Sequence, residues 1–164
     1  MLDRDLIGKT YPEILFSVEK QRLKFFAKAT LQSDPVYFDE DFAKKNGHPS
    51  ILAPLTFLTT VGYEQEKPYQ YLEDLGIPIG SILHAKQEYT HYEPIYAGDQ
   101  LRMKSKIGDI YEKKEGVLEF ISFISNYKNQ KNKLVTESVS TLVLRNKWIK
   151  IEKKNFELVM RYPA

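Results

Sequence analysis

The chain has 164 residues, ordinary apolar and charged fractions, and a formal net charge of +2. That length suits one domain with a substantial core, and so small a charge, without a basic block or stripe, argues against a nucleic-acid partner. With no cysteine, disulfides, thiolate catalysis and a thiolate zinc site are excluded.

The N-terminal MLDRDLIGKTY lacks an apolar core of signal-peptide length, and no stretch is long and apolar enough to span a bilayer. A cytoplasmic protein is expected. Residues 1–16 read as an irregular arm ending in a short extended run, Ile14 to Phe16. Ser17 is placed to N-cap a helix over Val18 to Leu31. In that helix Leu23, Phe26, Ala27, Thr30 and Leu31, with Phe25 and Ala29 beside them, form one stripe at helical spacing.

The stretch from Gln32 to Val61 organises the rest. Asp34-Pro35 makes a turn, Asp39 caps a short helix whose Phe42 and Ala43 should face inward, and Gly47 suits its end. Pro54 fits the first position of a helix running to about Tyr63, apolar on nearly every side through Leu55, Phe57, Leu58 and Val61. Such a helix must be buried. Residues 68–80 read as a loop with one helical turn near Tyr69 to Asp74.

From Ile82 the pattern changes to strands: Ile82 to Tyr92, Leu101 to Ile110, Val117 to Tyr127 and Leu134 to Leu144. Charged turns separate the later ones, so an antiparallel meander is expected. Val117 to Ser125 carries apolar residues at both parities, which predicts a central strand. The architecture is α+β, with one sheet wrapped around one apolar helix and a second subunit covering what remains exposed. Residues 1–145 form this domain. The tail 146–164, with Trp148 and the alternation Phe156, Leu158, Met160, Tyr162, should pack on the domain or on a partner.

Three pieces in this order, DPVYFDEDFA (34–43), ILAPLTF (51–57) and PIYAGDQL (94–101), resemble the MaoC-like (R)-specific hydratases and dehydratases. The nearest likeness is to the N-terminal FAS1-like dehydratase branch, which includes non-catalytic subunits of (3R)-hydroxyacyl-thioester dehydratases of fatty-acid metabolism. The resemblance runs from about Ile7 to Arg145 and implies a hot-dog fold, a dimer, and an acyl-CoA or acyl-carrier-protein thioester as ligand, with no other cofactor.

Active members of that family carry Asp-x-Asn-Pro-x-His followed by Ala-His-Gly. The resemblance implies that Asp and His move the protons while the glycine N–H polarises the thioester carbonyl. Aligned on Pro35, the Asp position holds Gln32, the Asn position Asp34 and the His position Tyr37; Ala53, Pro54 and Leu55 stand at Ala-His-Gly. Gln32 cannot ionise. A tyrosine of pKa about 10, against about 6.5 for histidine, is roughly 4 kcal/mol too weakly acidic to act easily as a base at neutral pH. Thioester binding through Asp34, Tyr37, Ala53, Pro54, Leu55 and Thr56 can outlast catalysis, the Leu55 N–H standing at a helix start.

The expected role is therefore a subunit paired with a catalytic hot-dog chain, as a heterodimer, or else a homodimer active through other residues. Asp34 and His48 are the fallback bases, although Asp before proline ordinarily caps a turn and His48 reads as a loop residue. A non-enzymatic acyl-thioester binding module is the third reading. His84 and His91 read as ordinary strand positions, and three scattered histidines make no metal site. Glu64 could serve a thioesterase but reads as a solvated helix end. Lys113, Lys114, Lys128, Lys131 and Lys133 read as solvated hairpin tips, with contact to coenzyme A phosphates or an acidic carrier as the alternative.

Overall fold

A computed structural model describes residues 2–145. Its strands are β1 (Ile14–Ser17), β2 (Ile82–His91), β3 (Gln100–Lys113), β4 (Leu118–Lys128) and β5 (Leu134–Arg145). They form an antiparallel sheet in the order β1-β3-β4-β5-β2. Helices α1 (Lys20–Ala29), α2 (Glu40–Lys45) and α3 (Gln70–Asp74) are short, and a 3₁₀ helix, Phe57–Glu64, holds the centre.

β4 is the middle strand, as its two-sided apolar pattern requires. Tight turns made by residues of positive φ, Lys114, Glu115 and Gly116 on one side and Asn132 on the other, join it to β3 and β5. The four long strands are nevertheless not one meander. β2 pairs with β5 and not with β3. The chain leaving β2 is drawn away by the stretch before the central helix: Leu52 bridges Tyr96, Ala53 N–H donates to Ile95 C=O at 2.8 Å, and Ala97 N–H donates to Ile51 C=O at 3.0 Å. Those bonds carry residues 95–99 across to the β1 side, where Val18 N–H donates to Asp99 C=O at 2.9 Å and starts β3 beside β1.

Three local expectations are corrected. Ser17 ends β1 and caps nothing; α1 begins at Lys20, because residues 16–18 are claimed by the sheet and by the Val18–Asp99 bond. Of the expected stripe, Leu23 and Ala27 in α1 are buried, whereas Phe25, and Leu31 beyond the end of α1, are exposed, so the buried stripe is narrower and shorter than the apolar one. In α2, Asp39 caps as expected, its Oδ1 accepting from Asp41 and Phe42 N–H at 2.9 and 3.0 Å, but only Ala43 turns fully inward.

The central segment is indeed apolar and enclosed, with Phe57, Leu58 and Val61 at most 2% exposed. It is wound as a 3₁₀ helix, not an α-helix. Thr59, Thr60, Val61 and Gly62 in succession are poor α-formers, since β-branched side chains crowd the preceding turn and glycine loosens it.

Two apolar clusters face this helix side of the sheet. One joins Phe16, Leu23, Phe57, Val61, Leu101 and Val135. The other joins Leu72, Ile77, Ile107, Ile121, Leu142 and Leu144 at the opposite end. On the other face a bulge between Ile107 and Asp109 brings Gly108 so near Ile124 that a Cβ there would sit 2.7 Å from its Cγ1 and Cδ1. Glycine is needed for that approach. The tail 146–164 lies outside the described residues.

Candidate functional site

The turn at Asp34 is built by its own side chain. Asp34 Oδ1 accepts from Val36 N–H at 2.9 Å and caps the 3₁₀ turn Pro35–Tyr37, with proline at its first position. The turn buries Val36 and half-buries Tyr37. Leu52 N–H donates to Val36 C=O at 3.2 Å, and Ala53 N–H to Ile95 C=O, so the turn, the lead into the central helix and the exit from β2 are tied together.

Between them lies a pocket of about 290 Å³, at the small end of the ~300–1,000 Å³ common for ligand sites. Tyr37, Ala53, Pro54 and Leu55 line it, with His91 and Glu93 on the β2 side. Leu55 is 65% exposed. Phe57 N–H donates to Pro54 C=O at 2.8 Å, whereas no backbone carbonyl among the described residues accepts from the Leu55 N–H. The helix begins at Phe57 and not at Pro54 as expected, because Phe57 N–H closes a turn on Pro54 C=O; the Leu55 N–H lies in that turn, ahead of the helix, and is left as a donor for a ligand oxygen.

The remaining candidates fall elsewhere. Gln32 is exposed, follows the positive-φ residue Leu31 and does not line the pocket. Asp34 is spent on its cap, and Thr56 precedes the central helix outside the lining. His48 Nδ1 lies 3.2 Å from the Tyr96 hydroxyl, with the two rings 5.8 Å apart, and neither residue lines the pocket. Burial first, then the charges of Asp99 and Glu93, hold the Tyr96 phenol above its ordinary pKa, so it stays protonated beside His48. Glu64 is ion-paired with Arg22.

Sequence reasoning read His91 as an ordinary strand position and did not single out Glu93. Both sit where β2 ends, and only the pairing of residues 51–53 with 95–97 brings that end to Tyr37. Although an imidazole and a carboxylate share the pocket, each is engaged elsewhere. His91 Nδ1 lies 3.0 Å from Thr136 Oγ1, and Glu93 is bound by Lys133. Among the described residues they share no hydrogen bond. The lysines also separate: Lys128, Lys131 and Lys133 stand at the pocket end of the sheet, Lys113 and Lys114 at the far end. No cluster of three or more metal-binding side chains and no helix long and apolar enough to cross a membrane occurs among the described residues.

A curled antiparallel sheet enclosing one apolar helix, with a pocket at the helix start, is the hot-dog fold. The chain belongs to the FAS1-like dehydratase domain region family, whose model matches residues 5–138. A UPF0336 protein of Saccharopolyspora erythraea is 30% identical over 145 residues, 88% of this chain and 92% of that one. A chain of the truncated HadBC (3R-hydroxyacyl-ACP dehydratase) complex of Mycobacterium tuberculosis superposes with a TM-score of 0.74 at 26% identity. That match covers 87% of this chain and 99% of the other. The ChsH1–ChsH2 complex of the same organism shares the fold, with a TM-score of 0.66 and 18% identity over 84% of this chain and 89% of that chain.

Proposed function

We propose that this protein is the thioester-binding, non-catalytic subunit of a (3R)-hydroxyacyl-thioester dehydratase of fatty-acid metabolism, acting in the cytoplasm beside a hot-dog partner that supplies the proton-transfer pair. The observation that carries this reading is the content of the pocket. Tyr37 stands at the position where active relatives place histidine, Gln32 lies outside, and the one imidazole and one carboxylate that line it among the described residues are held by Thr136 and Lys133. Hydration needs a base within reach of the proton it takes and an acid to return it. The Leu55 N–H and the Tyr37 hydroxyl can hydrogen-bond a thioester without doing either.

The need for a partner follows from β2. It is the last strand of the sheet, its outer edge has no partner among the described residues, and most of its side chains are exposed. An uncovered edge ten residues long invites pairing. The related HadBC and ChsH1–ChsH2 proteins are complexes of two subunits, which favours a heteromer over a homodimer. The ligand is an acyl group on coenzyme A or on a carrier protein, and the lysines at 128, 131 and 133 flank the same end of the sheet.

The test is co-expression with a hot-dog chain that carries an intact Asp-x-Asn-Pro-x-His motif. The two should co-purify and hydrate an enoyl thioester together. Failure to associate, with the partner fully active by itself, contradicts the proposal. A second reading is hydration by this chain alone, and the presence of His91 in the pocket favours His91 over Asp34 or His48 as its base.

A further inference from the structure

A second and larger cavity, about 880 Å³, lies between the inner face of the sheet and the chain from the central helix to Ile79. Leu58 lines both cavities, so they are one side chain apart. The floor of the larger one is made of serines. Ser105 of β3 pairs with Ser125 of β4, which pairs with Ser138 of β5, which pairs with Tyr89 of β2.

Inward positions on the middle strands of a sheet ordinarily carry large aliphatic side chains. Here they do so to either side of this row, at Leu101 and Met103 and again at Ile107, Ile121 and Leu142. Three small side chains abreast leave the volume open. They also make it polar where it is deepest, Ser125 and Ser138 being 9% and 4% exposed. Ser105 and Ser125 bond each other, their hydroxyl oxygens 2.6 Å apart.

Two phenols on the wall are not satisfied in this way. The Tyr11 hydroxyl is buried with no hydrogen-bond partner among the described residues, and the buried Tyr89 hydroxyl has only the Thr59 side chain near enough to hydrogen-bond it. Burial holds both phenols above their ordinary pKa, with Asp74 adding to the effect at Tyr11 and the Thr59 hydrogen bond opposing it at Tyr89, so both keep their O–H at neutral pH. A buried donor without an acceptor is costly, and a plain hydrocarbon chain laid over it would make that permanent.

We infer that this cavity receives the acyl tail and prefers a chain bearing an oxygen function, a hydroxyl or oxo group partway along, over an unsubstituted chain of equal length. The inference rests on the thioester-binding reading. Phe123, Tyr127, Leu58 and Met103 contact the methylenes, while the chain oxygen accepts from Tyr11 or Tyr89. A hydrocarbon-only site would line this face with Leu, Ile and Phe throughout.

Calorimetric titration of the purified full chain with a saturated acyl-CoA and with its mid-chain hydroxy analogue tests this. The hydroxy analogue should bind about tenfold more tightly. Tyr11→Phe with Tyr89→Phe should erase that preference and leave the saturated ligand unchanged or tighter, and Ser138→Leu, which fills the floor, should weaken both ligands. Equal affinities in the wild type, or a preference that survives the double Phe variant, overturn the inference and leave thioester binding standing. Binding of neither ligand overturns both.

Discussion

His91 Nδ1 lies 3.0 Å from the hydroxyl of Thr136, a residue with no exposed surface. Among the described residues, the only imidazole lining the Tyr37 pocket is thus pinned to a buried group on the neighbouring strand, and the carboxylate nearby, on Glu93, is bound by Lys133. If His91 is a wall residue, His91→Ala should lower turnover of the assembled complex less than about tenfold, since loss of a general base ordinarily costs ~10²–10⁴. Initial rates of enoyl-thioester hydration decide it.

Asp34 offers a cleaner separation of structural from chemical roles. Its carboxylate caps the Pro35–Tyr37 turn, so Asp34→Ala should cost ~1 kcal/mol and lower Tm by about 2–4 °C. Asn caps as well as Asp does, so Asp34→Asn should restore both stability and ligand binding. An isosteric amide that abolished activity of the complex would instead mark Asp34 as a base.

Gly108 and Ile124 are coupled by contact across β3 and β4. Gly108→Ala should destabilise by about 1–3 kcal/mol, the usual penalty for overpacking. Combined with Ile124→Ala, which removes the atoms the new Cβ meets, the total loss should be smaller than the sum of the single losses. Chemical denaturation of the four proteins measures this.

Tyr127 predicts an alkaline limit to stability. Burial pushes its phenol up to about 12 from 10.0, against an opposing hydrogen bond from Ser138. The folded state therefore keeps a proton that the unfolded chain loses first. Its contribution is complete below pH 10 and drains away as pH rises toward 12, amounting to about 2–3 kcal/mol. Tyr127→Phe should show a shallower fall in stability across that window. Identical slopes for wild type and variant would contradict the assignment.

What the residues disclosed beforehand, and what they withheld, divides along a physical line. Local rules placed the strands, the Asp39 cap, the turns at 114–116 and 132 and the helical turn near residues 70–74, because alternation, capping and turn chemistry act over a few residues. The family-specific pieces placed the fold. Ser17 misled because a strand outcompeted a cap, and the central segment misled because its apolar character says buried without saying how it is wound. That His91 and Glu93 line the pocket, and that three serines lie abreast, was not legible for a different reason. Each becomes meaningful only through cross-strand register and the Leu52–Tyr96 bridge, which no short window of sequence contains.

On the proposed function, this chain cradles a thioester and moves no protons on it. The most direct measurement is steady-state hydration of an enoyl-CoA by the purified chain with no partner present. The account predicts no rate above the uncatalysed background, together with saturable binding of the same ligand by calorimetry. Saturable turnover by the lone chain that disappears in His91→Ala would contradict it.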